Sequence, residues 1–372
     1  MQHQCNNTIL LPGFVDLHVH FREPGFSPKE TIATGSAAAL RGGYIAVVTM
    51  PNLRPAPDSL PNLQQQLELI KLHAQLPVFP VGSITMGQLG AGELSRMEEL
   101  APHVCGFSDD GVGVNDAVLM KEAMQRARAL GKPIIAHCED LSFGDAHNPA
   151  SEYKPLARDL QLAAQTGCHY HVCHVSAKES VELIRQAKKD GVCVTAETAP
   201  HYLVLCDDDV PGTTTPPLRG HPSTEGNGGT RPYKGKDIHP NYKMNPPIRG
   251  KADQVALLAG LIDGTIDCIA TDHAPHTAQD KLDGANGIVG LEIAFPVLYT
   301  KLVREGVLTL DQLVNAMAHN PRELLKRWTS RVFGGSVLWD LHTAWVINPD
   351  EFATMGRAMP FAGWEVYGTC LN

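Results

Sequence analysis

The sequence predicts an α/β chain built on a (β/α)8 TIM-type barrel, and three observations lead there. Eight short apolar runs, most of them rich in Val and Ile, end abruptly in polar residues, as parallel strands buried on both faces do. Stretches of helical period lie between them. The length of 372 residues accommodates one barrel of ~250 residues with an appendage.

In chain order the runs are Phe14–His20, Tyr44–Met50, Pro77–Ile84, His103–Asp109, Lys132–His137, Cys168–His174, Val192–Glu197 and Ile266–Asp272. Helical period is clearest over Lys29–Arg41, Leu60–Gln75, Asp116–Leu130 and Ala177–Asp190. Strand followed by helix, repeated, is the pattern of a barrel wound from βα units. Helical segments at Leu291–Arg304 and Leu310–Trp328 follow the eighth run and are expected to pack outside the barrel.

Two regions break the rhythm. Residues 211–240 hold six Pro and six Gly in thirty positions, a composition that cannot bury enough apolar surface to order itself. It is expected to be a solvated insertion, with a lid over the site as the alternative. The tail from Arg331 to Asn372 carries short strand-like pieces such as Thr343–Ile347 and no helical period. It is expected to form a small β-structure leaning on the barrel.

Composition removes several classes of function. The net charge of −9 lacks the basic stripe a nucleic-acid partner demands. The longest apolar run is about seven residues, against the ~18 of a membrane span. No basic segment followed by an apolar one opens the chain, so secretion is not expected. Nine Cys without a CxxC pair read as reduced thiols of a cytoplasmic protein.

The chemistry is expected where the strands end, because barrel active sites lie at that face. The first run closes on His18 and His20, and alternation along a strand puts both imidazoles on one side. The fourth closes on Asp109-Asp110-Gly111, the fifth on His137, the sixth on His174 and the eighth on Asp272-His273. Taken singly, each is an ordinary strand-end residue. Together they converge on one barrel mouth with the imidazole and carboxylate donors that suit zinc, and a binuclear metal centre is expected. Two ions lower the pKa of a bridging water. A carboxylate beside it can move the proton to a leaving nitrogen, and Asp272 is the candidate. The reaction class is metal-assisted hydrolysis, with the substrate open at this point.

The blocks GFVDLHVHFREPG (13–25), KET (29–31), TMPN (49–52), FSDDGVG (107–113), AHCE (136–139), HYHVCHVS (169–176), KMNPPIRGK (243–251) and TDHAPH (271–276) occur in that order. They resemble the bacterial class I type of dihydroorotase, within the amidohydrolase superfamily. The resemblance runs from about residue 12 to about 328 and returns at PFAGW (360–364). It implies reversible conversion of (S)-dihydroorotate and water to N-carbamoyl-L-aspartate, in pyrimidine biosynthesis. It implies two Zn2+ per subunit, one on His18, His20 and Asp272 and the other on His137 and His174. Where many relatives bridge the ions with a carboxylated lysine, Asp110 stands at the matching place. Asp109 is its neighbour, and the motif alone chooses between them.

By the same resemblance Arg22, Asn52 and His276 grip the substrate carboxylate, while Asn245 is a further contact. His20, Phe21, Asn286 and Gly287 complete the expected substrate residues, the last two acting through the backbone. A planar guanidinium suits a carboxylate on chemical grounds as well, which supports Arg22 independently. The family's accessory β-domain is expected to be reduced here to residues 1–11 and 329–372, with the barrel over 12–328. Partners expected beyond the small-molecule substrate are a second copy or an aspartate transcarbamoylase. Two other readings compete: an allantoinase or hydantoinase, and a catalytically silent subunit that scaffolds a transcarbamoylase. Asn52 and the KMNPP block oppose the first, and retention of all six ligands opposes the second.

Overall fold

The structure is a computed structural model that describes residues 8–211, 238–332 and 334–371. The insertion expected at 211–240, and with it the lid alternative, lies almost wholly outside the described residues.

Two parallel sheets form the barrel wall. The first joins β2 (Phe14–Val19), β3 (Tyr44–Thr49) and β4 (Val78–Pro80), after β1 (Thr8–Pro12) has entered a separate sheet. The second joins β5 (Ile134–Ala136), β6 (Tyr170–Val172), β7 (Val194–Thr198) and β8 (Cys268–Ile269). The ring closes through a parallel bridge between Val19 and His273, with His20 N donating to His273 O at 2.9 Å.

The fourth run, expected as a strand, is not one. Phe107 bridges singly to Gly82 and to Ile134. Hydrogen bonds of a stave survive, Ser108 N to Gly82 O at 2.9 Å and Ile135 N to Phe107 O at 2.8 Å. Beyond them Asp109 turns out of line toward residues 84–90, which ends any ladder.

The expected helices are present as Ile32–Arg41, Leu60–His73, Ala117–Ala129 and Lys178–Lys189. Capping explains two starts, Thr31 accepting from Thr34 N and Asp116 from Val118 N and Leu119 N. Helices Ala150–Thr166 and Lys251–Asp263 complete the repeat. Among the described residues no helix is long and apolar enough to cross a membrane.

One expectation needs correction. The segment Leu310–Trp328 is helical as expected, with a π-helical turn at Asn315–His319, but its last part, Asn320–Thr329, closes the N-terminal end of the barrel instead of packing outside it. Its side chains bond to the starts of strands: Arg322 to Gly13 O and Asn320 to Asp267 O. Leu324, Leu325 and Trp328 meanwhile pack into a core with Val15, Leu17, Val48 and Ile135. The opposite end stays open for the site.

The tail forms a longer strand than its composition suggested. β9 (Ser336–Val346) runs eleven residues and pairs antiparallel with both β1 and β10 (Glu365–Cys370). Trp339 of β9 buries its ring against Phe295 at 4.3 Å and Phe14 at 5.5 Å, joining this sheet to the barrel. Gly43, at φ +80, lies under that ring, where a Cβ would approach it to 2.4 Å. Only glycine fits that position.

Candidate active site

The barrel mouth assembles from strand ends. β2 carries His18 and, just past its end, His20; His137 follows β5 and His174 follows β6. Asp110 follows the irregular fourth stave and Asp272 follows β8. His174 and Asp272 have φ of +34 and +48, a left-handed conformation that costs ~1–2 kcal/mol per residue outside glycine. Non-glycine residues with positive φ are few in the described chain, and two of them fall on expected ligands.

All six side chains converge. His18 Nε2 stands 3.3 Å from Asp110 Oδ1 and 3.6 Å from Asp272 Oδ1. His20 Nε2 stands 3.1 Å from Asp272 Oδ1 and 3.6 Å from Asp110 Oδ2. His137 Nδ1 meets His174 Nε2 at 3.0 Å, and these atoms lie 3.8 and 3.7 Å from Asp110 Oδ1. The one Asp110 carboxylate therefore touches all four imidazoles.

These distances fit metal ions. Ligands ~2.0 Å from a tetrahedral ion stand ~3.3 Å apart. His18 Nε2 and Asp110 Oδ1 are buried and lack a hydrogen-bond partner among the described residues. Buried polar atoms left so are rare unless something else satisfies them. Two ligand sets stand out, His18 with Asp110 and His174, and His18 with His20 and Asp272.

Asp109 and Asp110 part company here. Asp109 accepts from Ile84 N at 2.7 Å, Thr85 N at 3.1 Å and Gly90 N at 3.1 Å, and also from the Thr85 hydroxyl. It organises the 84–90 loop and does not face the histidines. Asp272 keeps its carboxyl well below the usual range: burial pushes it up, but the His20 hydrogen bond and nearby imidazoles outweigh this.

Behind the expected ligands runs a largely buried polar chain that the motifs did not reveal. His18 Nδ1 bonds to Glu197 Oε1 at 2.9 Å, and Glu197 Oε2 to His171 Nε2 at 3.1 Å. His171 Nδ1 and His169 Nε2 both meet Thr195 Oγ1 at 2.8 Å, and Trp328 Nε1 donates to His169 Nδ1 at 3.3 Å. Burial raises the Glu197 carboxyl, but its two histidine bonds hold it at about 2. A carboxylate on the outer nitrogen of a ligating His fixes its tautomer and aims its lone pair. The only sequence signal was a Glu ending an apolar run. Glu197→Gln is expected to weaken metal binding by ~10–100-fold while the chain stays folded, as measured by competition with a chelator.

Above the expected ligands lies a cavity of about 230 Å³. Its lining includes His20, Arg22, Asn52, Asn245, His276, Asn286 and Gly287 with Asp110, His137, His174 and Asp272. Phe21 is the exception to the expected substrate residues: its buried ring joins the core and packs on Gly35, where a Cβ would meet it at 2.4 Å. Alternation along the chain turns it away from its neighbours His20 and Arg22.

One end of the cavity is cationic. Arg22 bonds Pro275 O at 3.3 Å and His276 Nε2 at 3.3 Å, while Lys29 Nζ approaches His276 Nδ1 at 3.4 Å. Burial lowers Arg22 only to about 10, so it stays charged at neutral pH. Burial, with the charges of Arg22, Lys29 and Lys281, lowers His276 to about 3, so it is neutral there. Asn52 Nδ2 donates to Asp110 O at 2.8 Å. Asn245 Nδ2 donates to Glu139 Oε1 at 2.9 Å, and Glu139 Oε2 lies 3.5 Å from His137 Nε2. Glu139, in the AHCE block, thus connects an expected ligand to an expected substrate contact, a role the spacing did not suggest.

The family model described as "Dihydro-orotase-like" matches residues 7–153. A dihydroorotase of Anoxybacillus flavithermus is 44% identical over 386 aligned positions, spanning 96% of this chain and 83% of that protein. The similarity therefore covers more of the chain than the expected stretch from about 12 to about 328 with its return at 360–364. Among solved structures, an L-hydantoinase (dihydropyrimidinase) from Arthrobacter aurescens matches with a TM-score of 0.79 and 23% identity, over 98% of this chain and 83% of its own. The inactive dihydroorotase-like domain of a Chaetomium thermophilum CAD-like multifunctional protein matches with a TM-score of 0.69 and 21% identity, over 97% and 91%. At these identities the two structures speak to the barrel fold alone.

Proposed function

The chain belongs to the dihydroorotase family, and from that premise we propose that it converts (S)-dihydroorotate and water reversibly to N-carbamoyl-L-aspartate, a step of pyrimidine biosynthesis, with two zinc ions. The observation that carries the reading is the Asp110 carboxylate within 3.3–3.8 Å of four imidazoles beneath a cavity with a buried guanidinium. His18, His20 and Asp272 would hold one ion, His137 and His174 the other, with Asp110 shared. Zinc bound there supplies a nucleophilic water near neutral pH and a polarised carbonyl.

The remaining steps belong to side chains. Arg22 anchors the substrate carboxylate, helped by neutral His276 and by Asn52, and so places the ring amide over the ligand cluster. Asn245, Asn286 and Gly287 border the ring. As water adds to the amide carbon, Asp272 takes its proton. When the C–N bond breaks, Asp272 returns that proton to the departing nitrogen, so atoms and charge balance. In the reverse direction the same carboxylate removes the proton from the carbamoyl nitrogen as the ring closes.

The test is turnover of dihydroorotate by the zinc-supplied chain, with hydantoin and allantoin alongside and metal counted in the same sample. Turnover of dihydroorotate alone with about two zincs per chain is the expected result, following the two donor sets. Turnover of hydantoin or allantoin instead would overturn the substrate assignment, and absence of both metal and turnover would favour a silent subunit. Arg22→Ala is expected to raise KM by ~30–100-fold, the loss of a charged hydrogen-bond pair, with metal content intact. An unchanged KM would remove Arg22 as the anchor.

A further inference from the structure

We propose that Lys281 is a positioning residue of the substrate pocket, its ammonium tying together the two segments that carry Asn245 and the Asn286–Gly287 pair. The proposal rests on the function proposed above. Lys281 lies on the short helix Ala278–Leu282 and is buried. Its Nζ donates to Lys243 O at 2.9 Å, Ala285 O at 2.9 Å and Gly287 O at 2.7 Å. An ammonium has three protons, and each has one of these carbonyls. Gly287 N also donates to Lys243 O at 3.0 Å, so the two segments are bonded directly as well as through Lys281.

The arrangement holds a wall of the cavity in place. Gly287, at φ +134, sits so close to Ala274 O and His276 that a Cβ would come within 2.6–3.0 Å of them. Its backbone therefore borders the pocket only while its carbonyl and amide are held from behind. Lys281 faces carbonyl dipoles, and the charge that acts on it most is the like-signed Lys243. Asp280 on its own helix is engaged by Lys29 at 3.4 Å, Asp283 by Gln279 at 3.0 Å, and His276 before the helix is neutral. Burying an ammonium against a second lysine without a carboxylate is unfavourable unless its donors are needed.

Burial, with Lys243, lowers the Lys281 ammonium to about 8. Above that pH it becomes an amine with two protons for three carbonyls, and the wall loosens. The sign for stability is opposite. Between the folded value and the unfolded one the unfolded chain binds more protons, so this group makes the fold more stable as pH rises. A loss of substrate grip in that range is therefore separable from unfolding.

Lys281→Met, nearly isosteric and without donors, is expected to raise KM for dihydroorotate by ~10-fold while kcat stays within ~3-fold and metal content is unchanged. In the unsubstituted chain KM is expected to rise above about pH 8, and in Lys281→Met to be high and flat with pH. Lys281→Gln, with two donor protons, is expected to fall between, and it decides the matter if the Met variant does not fold. A wild-type KM in the variants, or the same rise with pH in Lys281→Met, would overturn the proposal. Exchange of the Gly287 amide gives a readout independent of substrate: faster exchange in the variant at one pH is expected, and an unchanged rate counts against Lys281. If the unsubstituted chain does not turn over dihydroorotate, the function fails, and amide exchange still decides whether Lys281 orders this wall.

Discussion

Asp272→Asn is expected to retain about two zincs per chain, the number the donor sets hold, yet to lower turnover of dihydroorotate and of N-carbamoyl-aspartate by ~10³-fold or more. The backbone argument favours a clean test. Asp272 sits at φ +48, and Asn tolerates the left-handed region as well as Asp does. His18, His20 and Asp110 remain to hold the ion that Asp272 shares, and an amide oxygen can still face it. What the substitution removes is a carboxylate that burial pushes up but that its imidazole neighbours hold well below the usual range. An amide cannot accept the proton of the attacking water, and it has none to return to the leaving nitrogen. Both directions of the reaction should therefore fall together, measured in separate assays on a metal-counted sample. Near-normal rates in either direction would remove Asp272 from the proton path.

The second large effect concerns Asp110. Asp110→Ala takes away the only carboxylate within 4 Å of His18, His20, His137 and His174 together among the described residues. Asp272 would remain beside His18 and His20, while Glu197 and Glu139 each reach one imidazole, and no carboxylate would join the two pairs. Bound metal is expected to fall from about two per chain to less than one after dialysis, with turnover lost to the same extent. The neighbouring Asp109→Asn is the control. Its carboxylate accepts from Ile84, Thr85 and Gly90, so that change should lower the unfolding temperature and leave the metal in place. Metal content by elemental analysis and a thermal melt on both variants separate the two roles. Metal retained in Asp110→Ala and lost in Asp109→Asn would reverse the assignment.

Much of the site could be read from the chain because a barrel converts order along the sequence into order around a ring. Each wall segment of the barrel contributes its end to the same mouth, so polar residues that close apolar runs become neighbours without any knowledge of packing. His18, His137, His174 and Asp272 were legible for that reason. The helices flanking them were legible from their period and caps, as at Asp116. The fourth stave shows where that reasoning stops. Its apolar run suggested a strand, but Phe107 alone makes bridges, because the backbone must leave the wall to put Asp109 into one loop and Asp110 into the mouth.

The sequence by itself determined the barrel, the six side chains that meet at its mouth and the class of reaction, since these follow from local period, strand-end polarity and motif order. The tertiary structure supplied the physical reason that Asp110 and not Asp109 faces the histidines, and it alone decided that Phe21 belongs to the core and that Asn320–Thr329 seals the base of the barrel. It alone revealed Glu197 behind His18, 179 residues away, and Glu139 on Asn245, 106 residues away. The physical reason is the same in each case. A ligand's residue type shows in its own position, whereas a supporting contact depends on where a distant partner is placed, and neither side chain carries a local mark of the other.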